Sequence, residues 1–226
     1  MTYTIELVNN SGSPGKYYNI FSAKAGVEGG ANTPDTVKSV VWFRSTKLGP
    51  GQRDYFSFSG NVYGFLGTKR GGTNVQTRDT MKVVVGSPRD NGTILLLDKS
   101  YTFSSIDPDD DLALPDNQEF KIATNAALVP NNNVIGVARE KETPEGAIVV
   151  APTNVVDLKG NVTYTFTVNK AVYIKATGAA EGTIQTCPDD NDKKAVKVEF
   201  SGRMKKAVVF EDSSGNFTVT YSSGDD

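Results

Sequence analysis

Apolar residues recur at every second position along much of this chain, and that period is what most restricts its fold. Tyr3, Ile5 and Leu7 alternate with Thr4 and Glu6, and Val162, Tyr164, Phe166 and Val168 alternate with Thr163, Thr165 and Thr167. Such alternation serves the two faces of an extended strand, whereas a helix needs apolar positions three and four apart. Further strands are predicted near 17–23, 37–46, 52–59, 62–69, 80–86, 93–97, 119–124, 133–139, 146–150, 171–176, 183–187, 194–200, 204–211 and 216–222, with Gly, Asn, Asp, Ser or Pro between them. No long stretch keeps a helical period. The expectation is an all-β chain with little or no helix, folded as an antiparallel β-sandwich or a jelly-roll-like pair of sheets. No Pro/Ser or Gly/Ser linker divides the 226 residues, so they read as a single domain, 1–226. The alternative is two sandwiches with a boundary near 125–133, where Asn131-Asn132-Asn133 follows Pro130.

Two segments allow the register to be argued. A two-residue hairpin at Gly60-Asn61 would set Phe58 opposite Tyr63 and Phe56 opposite Phe65, four rings on one face, with Ser57, Ser59 and Gly64 on the other. Near the C-terminal end, a turn at Ser201–Arg203 would set Phe200 opposite Met204 and Glu199 opposite Lys205. A turn at Asp212–Gly215 would set Phe210 opposite Phe217. One face then collects Val196, Val198, Phe200, Met204, Val208, Phe210, Phe217 and Val219, and Lys206 points awkwardly toward it, its stem packed at the rim. Val40-Val41-Trp42-Phe43 is apolar at both parities and predicts a central strand covered on both sides. The aperiodic stretch 101–118 reads as the longest connection.

Composition then removes function classes. Histidine is absent and Cys187 is the single cysteine, which excludes Ser–His–Asp and Cys–His nucleophile systems, histidine–zinc sites and any intrachain disulfide. With 24 Lys and Arg against 26 Asp and Glu the net charge is −2, far from the cationic surface that nucleic acid selects. No apolar run approaches a transmembrane segment, and the alternating first residues lack the basic start and apolar run of a signal peptide. A soluble protein is expected, cytoplasmic or exported by a nonclassical route.

The opening Ile5-Glu6-Leu7-Val8-Asn9-Asn10-Ser11-Gly12, with Tyr17-Tyr18-Asn19-Ile20-Phe21 and Leu48-Gly49-Pro50-Gly51-Gln52, resembles the start of thaumatin-like and aegerolysin-like β-sandwich proteins over less than a quarter of the chain. Thaumatin-like domains are dense in disulfides and aegerolysins are much shorter. The resemblance therefore implies a β-sandwich opening and nothing about activity.

Candidate sites are few. Asp107-Pro108-Asp109-Asp110-Asp111, followed by Asp116 and Glu119, concentrates mutually repelling carboxylates that a cation or water must screen. Asp107, Asp109 and Asp111 match the first, third and fifth positions of a calcium loop. Leu112 replaces the turn glycine and Gln118 stands where the bidentate glutamate belongs, so this is no EF-hand. The choice lies between an irregular calcium site and a solvated acidic loop. Asp189, Asp190 and Asp192 form a weaker cluster of the same kind. Trp42, Tyr17, Tyr18, Tyr55 and Tyr63 are the rings that could stack on a sugar, and Tyr55, at the parity of Ser57 and Ser59, is the exposed candidate. Paired carboxylates would allow glycoside hydrolysis, but Glu6 and Glu199 face away from the core, and Glu140, Glu142 and Glu145 fall in a turn. Gly67-Thr68-Lys69-Arg70-Gly71-Gly72-Thr73 reads as a hairpin turn, not a phosphate loop.

These readings favour a noncatalytic binding protein whose ligand is a carbohydrate or another surface such as a protein, with Tyr55 and Asp116 as contacts and no cofactor beyond calcium. The rivals are a self-associating structural protein, a membrane-active protein and a glycoside hydrolase.

Overall fold

In the computed structural model, which describes residues 1–29, 36–106, 115 and 118–223, the chain is all-β, and no helix among those residues is long and apolar enough to cross a membrane. Its largest sheet is built on β6 (Arg53–Arg70), an 18-residue strand. One edge of β6 pairs along most of its length with β11 (Asn133–Glu142). The other edge is divided: β1 (Thr2–Asn9) takes residues 53–59, and β7 (Asn74–Val83) takes 62–70. Beyond β1 lie β17 (Lys206–Glu211), parallel to it, and β18 (Phe217–Ser222). Beyond β11 lie β12 (Ile148–Asp157), β4 (Lys38–Val40) and β15 (Ile184–Gln185).

Two smaller sheets pack against the inner face of the large one. The first runs β3 (Gly26–Glu28), β13 (Thr163–Thr167), β10 (Glu119–Thr124), β8 (Ile94–Leu97) and β9 (Phe103–Ile106). It supplies Leu95, Leu97, Phe120, Ile122, Tyr164 and Phe166 to a core shared with Val62, Leu66, Ile135 and Val137. The second runs β16 (Ala195–Val198), β14 (Val172–Ala176), β2 (Tyr18–Ser22) and β5 (Phe43–Arg44). Its Ile20, Val172, Ile174 and Val198 meet Ile5, Leu7, Phe56, Phe58, Ala207 and Val209. A sandwich-like all-β fold is what period two predicts. β1–β17 and β8–β10 are parallel pairs within otherwise antiparallel sheets, and the β16–β14–β2–β5 sheet is purely antiparallel.

The outer face of the large sheet is also partly closed. Val75 N–H donates to the Gly182 carbonyl at 2.9 Å and Ile184 N–H to that of Thr73 at 2.7 Å, joining β15 to the start of β7. The strands β7, β6, β11, β12, β4 and β15 thus return on themselves around Val40, Phe65, Val75, Val134, Ala138 and Val155. Gly136 lies on this side, where a Cβ would stand 1.9 Å from the Asn154 carbonyl oxygen, so only glycine lets β11 and β12 approach this closely.

Several local expectations are corrected. Gly60-Asn61 is not a turn: β6 runs straight through it, and Ser59-Gly60-Asn61 bulge opposite the single residue Glu140. Phe56 and Phe58 consequently face the sandwich core, while Tyr63 and Phe65 face the ring. The actual turn is at Gly71-Gly72, both at positive φ, within the glycine-rich stretch read as a hairpin. Val40-Val41-Trp42-Phe43 is no continuous strand. It crosses between sheets and sends Val40 to the ring, Val41 to an outer cluster with Phe21 and Tyr173, and Trp42 with Phe43 to the sandwich core. β16 and β17 belong to different sheets, so Glu199 pairs with Lys197 at 3.3 Å rather than with Lys205. In the β17–β18 hairpin it is Glu211, not Phe210, that stands opposite Phe217. This one-residue slip exchanges the faces. Lys206 turns outward to Glu6 at 3.5 Å, and Glu211 turns inward.

Candidate functional site

The two smaller sheets do not cover the large sheet without a gap. Between them lies a pocket of about 230 Å³. Its floor is the large sheet: Tyr3 from β1, Phe58, Gly60 and Val62 from β6, and Arg139 from β11. Its walls are Val85, Gln118 and Val168 on one side and Phe200 on the other, with the exposed Lys170 in the segment linking β13 to β14. The register explains the space. Phe56, Phe58, Val62 and Leu66 fill the inner parity of β6, and Gly60 occupies that parity without a side chain. A Cβ built there meets only the Tyr3 ring edge, at 3.8 Å. Tyr3, Phe58 and Phe200 pack against one another in the lining, with centroids 4.8–6.0 Å apart. Gln118 holds a φ of 64°, a conformation that residues with side chains seldom adopt.

Arg139 and Lys141 share the inward parity of β11 with Ile135 and Val137, and both are buried. They are treated differently. Lys141 Nζ donates to the Trp42 carbonyl at 2.7 Å and to Glu181, its counter-ion. Arg139 donates through Nη2 to the Asn169 carbonyl, while its buried Nε has no partner. Among the described residues no ion pair includes Arg139. Burial pulls its pKa down to about 10, with the neighbouring Tyr3 only partly offsetting that.

On the opposite face, at the bulge, Glu140 accepts from Ser59 Oγ at 2.6 Å, Asn61 Nδ2 at 2.8 Å and the Tyr63 hydroxyl. Those bonds, Ser59 first, hold its carboxyl below the usual range, and burial together with Glu140 pushes Tyr63 up to about 12. Glu211, buried by the slip in β17, accepts from Tyr18 Oη and from Lys16 Nζ at 2.9 Å. Tyr18 is raised, chiefly by burial. Glu6 takes Arg53 at 2.7 Å.

Of the residues singled out in the sequence, Tyr55 is 55% exposed on the outer face of β6, opposite Glu6. Tyr18 and Trp42 are core, Tyr63 belongs to the ring, and Tyr17 lies under the Arg44 guanidinium at 3.9 Å. Asp107, Asp109, Asp111 and Asp116 lie outside the described residues. Asp190 accepts from Tyr173 Oη at 2.6 Å and Asp192 pairs with Lys175 at 2.7 Å, so that acidic turn is tied to its neighbours. Among the described residues no three Cys, Asp or Glu side chains converge as a metal site. Glu140 and Glu142 lie on β11 rather than in a turn. The pocket itself was not anticipated. The available signal was two cations, Arg139 and Lys141, at the parity of Ile135 and Val137.

No curated protein and no solved structure matches the chain. The RhiA family model matches residues 1–222, which takes in the 18 strands found among the described residues and the residues lining the pocket, and the chain belongs to the RhiA family.

Proposed function

We propose that this chain is a noncatalytic binding protein that holds a small ligand in the pocket between its three sheets. The observation that carries this reading is the gap at Gly60: a preformed space lined by three aromatic rings, where the inner row of β6 lacks a side chain and, unlike at Gly64 where Leu95 packs in, no facing side chain takes its place. Small-molecule sites are typically concave, mostly apolar and furnished with a few placed polar groups. Here those groups belong to Arg139, Gln118 and Lys170, while the Ser59 hydroxyl is turned to Glu140 on the opposite face. This is a donor set suited to orienting a ligand.

The test is a fragment screen by protein-observed NMR with a Gly60→Leu variant, which fills the space from an ordinary backbone conformation. Binders should shift resonances of Tyr3, Phe58, Val62, Val168 and Phe200 and lose affinity at least tenfold in the variant. Binders that shift only other surfaces, or that ignore the variant, would refute the reading.

A carbohydrate ligand is a second reading, favoured by the exposure of Tyr55 beside Arg53 on an open sheet face. A glycan array comparing the protein with Tyr55→Ala tests it, and equal signals would dismiss Tyr55.

A further inference from the structure

The charge inside the pocket narrows the ligand class, and this step rests on the pocket being a binding site. We propose that the ligand is a small apolar monocarboxylate whose carboxylate pairs with Arg139 and whose apolar body lies against Tyr3, Phe58, Val62 and Phe200.

Two buried cations two residues apart on β11 provide an internal comparison. Lys141 has a carboxylate from its own chain, Glu181; Arg139 has one backbone carbonyl, an orphaned Nε and no acidic partner among the described residues. Isolated charges in a protein interior are strongly disfavoured unless paired. A guanidinium presents its N–H groups in a planar fork matched to a carboxylate, and Arg139 lines an open pocket that admits one. A ligand carboxylate would supply the missing countercharge and an acceptor. The stoichiometry fixes its charge: there is one buried cation to neutralise, the second cation of the lining, Lys170, is exposed, and the remaining lining is dominated by apolar side chains. A dianion such as a phosphate monoester would bury charge that nothing in the floor balances. Three rings and three valines then reward an apolar body rather than a hydroxylated one.

The experiment is calorimetric titration of the full chain with monocarboxylates from butanoate to decanoate and phenylacetate, each beside the alcohol of the same skeleton. At least one acid should bind, and at least thirtyfold more tightly than its alcohol. Arg139→Met should reduce that preference to threefold or less, and Gly60→Leu should weaken both. Should alcohols match acids, or the preference survive Arg139→Met, the carboxylate assignment is overturned and the pocket stands. Should no acid bind while fragments of another charge class shift the pocket resonances, the ligand class alone falls; should nothing bind there, the binding reading falls with it. Circular dichroism and melting of each variant confirm that losses of affinity are not losses of fold.

Discussion

Replacing Arg139 by methionine should make the empty protein more stable, the reverse of what truncating a buried, hydrogen-bonded side chain usually does. Methionine keeps a flexible, unbranched stem of similar reach and removes the charge. A guanidinium whose pKa is pulled down by burial to about 10 carries a cost of about 3 kcal/mol at neutral pH. Against this, Arg139→Met abandons the bond to the Asn169 carbonyl, a loss of about 1 kcal/mol. The net gain is about 2 kcal/mol, or roughly 4–8 °C in melting midpoint for a chain of this size. The sign of the pH dependence follows from linkage. Because the folded pKa lies below the unfolded one, the cost is complete at and below pH 9 and fades only in strongly alkaline solution. Melts and urea titrations at pH 7 and pH 9 should show the same advantage for the variant. A midpoint lowered by 5 °C or more at either pH would mean that the native guanidinium is satisfied, and the argument from its isolation would fail.

Three other outcomes follow from the geometry and a fourth from the sequence. Glu140→Gln should cost about 1 kcal/mol at pH 7, discounted for partial exposure; because the folded carboxyl titrates below its ordinary 4.5, the difference from the parent should shrink as pH falls below 4.5 in acid-titrated melts. Glu211→Leu leaves Lys16 and the Tyr18 hydroxyl without their shared acceptor and should destabilise by about 3 kcal/mol, with Tyr18→Phe costing less, by urea denaturation. Gly136→Ala drives a Cβ into the Asn154 carbonyl and should abolish soluble expression or lower the midpoint by more than 10 °C, whereas Gly60→Ala should leave it within 3 °C. Calcium at millimolar level, compared with chelator, should raise the melting midpoint if Asp107, Asp109 and Asp111 bind it, and an unchanged melt returns that loop to the solvated reading.

The sequence disclosed what depends on neighbours along the chain and hid what depends on neighbours in space. Alternation around Ile5, Phe120, Phe166 and Val172 located strands, and the Gly71-Gly72 hairpin was legible from its glycines. Gly60-Asn61 carries the same local signal as a hairpin turn, yet β11 lies alongside and its Glu140 ties Ser59, Asn61 and Tyr63 into a bulge instead. The C-terminal register slipped by one because Val208 and Phe210 are apolar at the outward parity, while Glu211 is inward for the sake of Tyr18 and Lys16. Arg139 gave no signal by itself because the strand reads as ending at 139, with Glu140 and Glu142 in a turn beyond it. Only the covering sheets turn Arg139 and Lys141 into interior groups.

The parallel pairing of β1 with β17 sets the order in which this molecule can be completed. β1 can meet β6 once residue 59 has been made, but its other edge waits for residues 206–211. At ribosomal rates of 5–20 residues per second that interval is roughly 7–30 s. Throughout it the nascent chain carries an unpaired edge beside Ile5 and Leu7, and neither the second sandwich core nor the buried partnership of Lys16, Tyr18 and Glu211 can form. β1, made long before its second partner, is therefore enclosed late, and its waiting edge is where chaperones or premature self-pairing would act.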